Sequence, residues 1–162
     1  MKFIIKLIAT FFYTGYFPIA GGTFASLVSV FIYILLPVSA PARVLFVFFL
    51  FLTGFLVSGR AEALLQSKDS GKIVIDEVAS MSLICLFAQR DYLFLTCGFL
   101  CFRFFDIVKP PPIKRIEHMT GSKAVMLDDL AAALYTILAL FLISRLQRAG
   151  ILPLANIPIH GL

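Results

Sequence analysis

The sequence predicts an all-α integral membrane helical bundle with about five membrane-embedded helices, some short or re-entrant. Three observations predict it. Of 162 residues, 60% are hydrophobic and only 14% are charged, against about 45–50% and about 25% in an ordinary soluble domain. The mean hydropathy is +0.99. The charges are also clustered, leaving uncharged stretches at 44–59, 78–89, 92–102 and 130–144. The length suits one domain, 1–162.

The elements follow in order. Lys6 interrupts the first apolar run, and no cleavage-type small-residue site follows a clean one, so 1–20 does not read as a signal peptide. Gly15, Pro18, Gly21 and Gly22 separate a short N-terminal segment from a helix over 23–36. Pro37 and Pro41 make a turn, and a second helix covers 43–66. Residues 67–71 form a polar loop. The runs 78–89 and 92–102 are too short to cross a bilayer alone, since ~20 residues are usual. They reach that length only by taking in flanking ionisable residues. Asp76 and Glu77 therefore fall near the start of the third helix, and Arg103 and Asp106 near the end of the fourth. Asp91 lies in the turn between them. Pro110, Pro111 and Pro112 end the fourth helix. A polar loop runs to about 123, and the fifth helix covers 127–146.

Five crossings assign sides. One side holds Lys2, Lys6, Arg60, Lys68, Lys72, Arg103, Lys109, Lys114, Arg115 and Lys123; the other holds Arg43, Arg90, Arg145 and Arg148. The excess makes the first side cytoplasmic. The net charge of +5 does not indicate nucleic acid, because the basic residues are thinly spread; lysines beside apolar segments suit anionic lipid. Cys85, Cys97 and Cys101 sit in apolar runs and read as small hydrophobic filler.

This topology gathers Thr23, Ser26, Asp76, Glu77, Arg103, Asp106, Lys109, Asp128 and Asp129 at one depth on one face. Arg103 and Asp106 share a helix face at i, i+3. Five carboxylates in one patch must be solvated, paired or metal-bound. Oxygen-only ligands suit Mg²⁺, and Arg103 and Lys109 suit a phosphate. The set points to metal-assisted phosphoryl chemistry at a lipid headgroup. Taken singly, each residue has an ordinary explanation. Asp76 or Asp128 can cap a helix dipole, Arg103 and Asp106 can be a structural pair, and Lys109 can snorkel. The hydroxyls of Thr23 and Ser26 can bond back to a helix carbonyl or cap an N-terminus. Convergence from several helices favours function.

Two other phosphatase chemistries fail. Cys97 and Arg103 have the spacing of a cysteine-phosphatase loop, but bulky residues fill the interval inside an apolar helix. His118 and His160 lack a serine–acid partnership.

Four blocks in order resemble the phosphatidylglycerophosphatase A family. They are Phe17-Pro18-Ile19-Ala20-Gly21-Gly22-Thr23 with Ser26, Ile75-Asp76-Glu77, the stretch from Phe102 to Pro110 with Arg103, Asp106 and Lys109, and Met126-Leu127-Asp128-Asp129. Gly21, Ser80, Ser122 and Ala124 depart from the family pattern. The resemblance implies a Mg²⁺-dependent enzyme of the bacterial inner membrane. It would convert phosphatidylglycerophosphate to phosphatidylglycerol, with a multi-pass chain and a cytoplasmic site. Asp76, Glu77, Asp128 and Asp129 would hold metal, Arg103 and Lys109, with Thr23 and Ser26, would hold phosphate, and Asp106 would orient Arg103 or bind metal. The nucleophile is either water or a carboxylate. Of the rivals, a small cation transporter or channel subunit would need ionisable groups through the midplane. A CDP-lipid phosphotransferase would need a spaced-Asp motif that is absent.

Overall fold

A computed structural model describes residues 1–35, 39–66, 70–87, 91–111, 113–117 and 122–149, with the side chains of 115, 117 and 122–124 excepted. His118, His160, Arg90, Gly121 and most of the 67–71 loop lie outside the described residues.

Among the described residues the fold is all-helical, with no strand. The helices are α1 (Lys2–Ala9), α2 (Gly21–Leu35), α3 (Ala40–Leu65), α4 (Ile75–Cys85), α5 (Tyr92–Val108), α6 (Ile113–Glu117) and α7 (Ser122–Arg148), with a 3₁₀ turn at Thr14–Tyr16. Two segments, Ala40–Leu65 and Val125–Arg148, are long and apolar enough to cross a membrane.

Local chemistry explains the boundaries. Pro41 sits in the first turn of α3 rather than in the preceding turn, because the N–H it lacks would have no helical partner there. Asp91 caps α5: its Oδ1 accepts the backbone N–H of Phe94 at 2.7 Å. Two expected boundaries move. The segment before Gly21 contains a helix of its own, α1. The last helix starts at Ser122, not near 127, so Asp128 and Asp129 lie in its second turn and are not dipole caps. The polar loop after Pro110 also contains α6, because Ile113 is fully buried and has an apolar site to fill.

The core has two parts. One joins Leu50, Val57 and Ala61 of α3 to Ile75, Val78 and Ala79 of α4 and to Met126 of α7. The other joins Met81, Ile84 and Cys85 of α4 to Phe94 and Phe102 of α5 and to Ala132, Ala133 and Leu140 of α7. Asp128 and Asp129 fall between Met126 of the first and Ala132 of the second. The three cysteines are free thiols, and Cys85 packs as the apolar filler the sequence suggests. Residues 97–103 are helical, within α5, so no loop exists there to wrap a phosphate.

The exterior is apolar too. Phe31, Phe48, Leu56, Leu100, Phe104 and Leu138 are each more than half exposed. One buried polar pair joins two helices: Ser29 of α2 lies 2.8 Å from Ser82 of α4, hydroxyl to hydroxyl.

Candidate active site

Three helix ends and one second turn meet at one end of the bundle. The start of α4 supplies Asp76 and Glu77. The end of α5 supplies Arg103 and Asp106, and the residue after it supplies Lys109. The second turn of α7 supplies Asp128 and Asp129. The start of α2 closes the group with Gly21, Gly22 and Thr23.

The carboxylates divide into two sets. Asp76, Glu77 and Asp129 each bring one oxygen to within 4.8 Å of the others. Asp128 instead pairs with Lys109, Oδ2 to Nζ at 3.1 Å, and its Oδ1 accepts the Asp129 N–H at 3.0 Å. Adjacent residues on a helix point about 100° apart. That rotation sends Asp129 toward α4 and Asp128 toward the end of α5.

Lys109 reaches Asp128 because of its backbone. Pro110 cannot continue α5, so the helix ends in a left-handed residue: Lys109 has φ 46°, and its N–H bonds the Phe105 carbonyl at 2.9 Å. The turn carries the ammonium back over α7. Arg103 Nη1 lies 3.1 Å from Asp106 Oδ2. That contact is an ion pair without hydrogen-bond alignment, and Arg103 Nε has no hydrogen-bond partner either. Asp106 also faces Glu77 and Asp129 electrostatically, so it links the cationic and acidic halves of the site.

The acidic set is incomplete as protein alone. Asp76 Oδ1, Glu77 Oε2 and Asp129 Oδ2 are buried without a hydrogen-bond partner. Buried polar atoms are almost always paired, and a buried charge without a partner is far costlier than a neutral group. Three such oxygens on one cluster fit a hard divalent cation. Three oxygens gathered within 4.8 Å of one another are near enough to share one such ion once they draw together.

Gly22 gives Glu77 its place. A Cβ on Gly22 would collide with the Glu77 carboxylate, whose Cδ would lie 2.8 Å away. Only a residue without a side chain lets the first turn of α2 sit on that carboxylate. The signal in the sequence is the Gly-Gly pair, though nothing in it names the partner. Thr23, one residue on, is half-buried. Ser26 is fully buried and donates its proton to the Gly22 carbonyl at 2.9 Å, so its hydroxyl supports the α2 turn that carries Gly22.

This arrangement is a helical site with a carboxylate triad at its centre and two cations beside it. The family model for phosphatidylglycerophosphatase A matches residues 7–144, and the chain belongs to that family; it is a phosphatase. A Bacteroides thetaiotaomicron protein that carries the provisional name phosphatidylinositol-3-phosphatase is 32% identical over 145 residues, covering 83% of this chain and 90% of the relative. Phosphatidylglycerophosphatase A of Haemophilus influenzae is 29% identical, covering 86% and 88%. That of Escherichia coli is 28% identical, covering 90% and 87%. No solved structure matches the chain.

Proposed function

We propose that this protein is a Mg²⁺-dependent phosphatase that removes the terminal phosphate of phosphatidylglycerophosphate to leave phosphatidylglycerol. It would be a multi-pass protein of the bacterial inner membrane with its site on the cytoplasmic face. The observation that carries the reading is the triad of Asp76, Glu77 and Asp129, whose buried oxygens lack partners. Asp76, Glu77 and Asp129 would hold the ion, which when bound supplies charge neutralisation at the phosphoryl group. Asp128 orients Lys109 toward the phosphate. Arg103, held by Asp106, presents a guanidinium suited to phosphate oxygens. The apolar exterior, the two long apolar helices and the excess of Lys and Arg on the site's side of the sequence support the membrane placement. A cation-transport reading has less support: residues 78–85 of α4 and 130–144 of α7 carry no Asp, Glu, His, Lys or Arg beyond the site.

Phosphate release from three lipids at matched surface concentration tests this. Phosphatidylglycerophosphate should be hydrolysed, phosphatidic acid more weakly, and phosphatidylglycerol not at all. Chelator should stop turnover and Mg²⁺ should restore it. Turnover that survives chelator overturns the metal requirement, and equal turnover of phosphatidylglycerol overturns the substrate class.

A further inference from the structure

We propose that Lys6, Tyr16 and Lys72 form a second anion subsite on the rim of the active site, which takes the phosphodiester of a lipid whose headgroup ends in a phosphomonoester. The inference rests on the phosphatase reading and names what selects the substrate.

The three residues come from separate parts of the chain and meet on one ring. Lys6 Nζ, from α1, lies 5.1 Å from the centroid of the Tyr16 ring, and Lys72 Nζ lies 5.0 Å from the same centroid. Among the described residues, no carboxylate pairs with either lysine. The ring attracts both cations, while the two ammonium groups repel each other. An anion on the pair relieves that repulsion.

The backbone that builds this corner is strained. Phe11, Phe12 and Tyr13 have φ of 40°, 56° and 66° in succession, a left-handed run that residues with a Cβ disfavour. Thr10 and Thr14 hold it: the Thr10 hydroxyl accepts the Tyr13 N–H at 3.2 Å, and the Thr14 hydroxyl donates to the Phe11 carbonyl at 2.8 Å. The run reverses the chain after α1 and sets Tyr16 back against Lys6. Strain of this kind clusters at ligand sites.

The corner is also joined to the carboxylates. Gly15 packs directly on the Lys72 carbonyl, and a Cβ on Gly21 would lie 2.9 Å from the Gly15 carbonyl and 3.3 Å from that of Gly71. Gly22, the next residue, packs on Glu77. The Val74 N–H bonds the Ala9 carbonyl at 3.0 Å, which fixes the strip between Lys72 and Glu77 against α1. Lys72 and Glu77 are only five residues apart, a reach of at most about 17 Å.

Charge shows why a second subsite is needed. Counted as ionised, the five carboxylates against Arg103 and Lys109 would leave the site three charges negative, and one negative with a divalent ion bound. A monoester brings about 1.5–2 further negative charges and a diester one more. Lys6 and Lys72 supply the two positive charges that the diester end lacks. Phosphatidic acid has no diester, so these lysines discriminate between two monoesters that the carboxylate site alone treats alike.

The test uses the full-length protein in neutral detergent micelles. The ratio of kcat/KM on phosphatidylglycerophosphate to that on phosphatidic acid should fall about tenfold in the Lys6→Gln/Lys72→Gln double variant, mostly through KM. Lys6→Arg/Lys72→Arg should hold the ratio. An unchanged ratio, including one in which both lipids lose equally through general surface charge, overturns the proposal. A second measurement separates it from the catalytic reading. Retention of phosphatidylglycerol over phosphatidylcholine by native mass spectrometry should persist in Asp129→Asn and vanish in the double lysine variant. Should the wild type hydrolyse neither lipid, the catalytic reading fails, and retention still decides the subsite: equal retention by wild type and lysine variant overturns it.

Discussion

Replacing Gly22 by Ala separates folding from catalysis in this site. Gly22 lies in the first turn of α2, where alanine is the better helix former by up to about 1 kcal/mol, so the helix itself does not suffer. The added Cβ would sit 2.8 Å from Cδ of Glu77. Ordinary contact begins near 3.4 Å, so the carboxyl carbon must retreat by about 0.6 Å and the nearer oxygen by about 1.5 Å. A misplacement of that size at a reacting centre costs about 10²-fold in rate, or about 2.7 kcal/mol in barrier. Thermal unfolding and phosphate release measured on one preparation should show an unchanged or slightly raised Tm with turnover down about a hundredfold. Adding Glu77→Asp, which shortens the acid by one methylene, should recover part of the loss. Full turnover in Gly22→Ala would refute the argument that Glu77 must stand where Gly22 admits it.

Lys109→Met should lower stability by about 1–3 kcal/mol, since it leaves the largely buried Asp128 without its cation. Adding Asp128→Asn should restore most of that stability but not turnover, and recovery of both would remove Lys109 from phosphate binding. Mg²⁺ at 100 times its Kd should stabilise the wild type by about 2.7 kcal/mol. Asp129→Asn should abolish that rise in Tm together with turnover, and an unchanged rise would exclude Asp129 as a ligand. Cys97→Ser and Cys101→Ser should leave turnover within about twofold, a change worth less than 0.5 kcal/mol; loss of activity with the fold intact would return catalysis to a thiol. A cysteine replacing the exposed Tyr92, in a background without native cysteines, should react with impermeant reagent only from outside the inner membrane. Labelling from the cytoplasm alone would invert the topology.

The sequence reached the site through arithmetic on charge. Two apolar runs too short to span forced Asp76, Glu77, Arg103 and Asp106 to the same end, and the structure brings those residues together with Lys109, Asp128 and Asp129. Which of the adjacent acids does what was not legible. Asp128 and Asp129 are chemically identical in sequence, and only the rotation of α7 against α4 and α5 sends one to the carboxylates and the other to Lys109. The early start of α7 was hidden because Gly121, Ser122 and Lys123 read as the end of a polar loop, while the contacts of Met126 with α3 and α4 extend the helix backward. The Lys6–Tyr16–Lys72 corner was also invisible. It depends on three successive left-handed residues that are neither glycine nor asparagine, a conformation no propensity favours and only the surrounding packing enforces.

At 11 residues, α4 is about 16 Å long, roughly half the hydrocarbon thickness of a bilayer. From Asp91 to Asp106, α5 rises about 22 Å. In the proposed membrane placement, with the cap of α5 at the far interface, Asp106 and its neighbours would lie some 8 Å inside the near boundary of a ~30 Å core, while α3 and α7 are long enough to cross it. One flank of the bundle would thus be mismatched to the membrane and the other matched. Lipids beside the short flank would adjust by local thinning. The dimple would lower their headgroups toward the carboxylates, so that a lipid meets the site by lateral diffusion without leaving its leaflet.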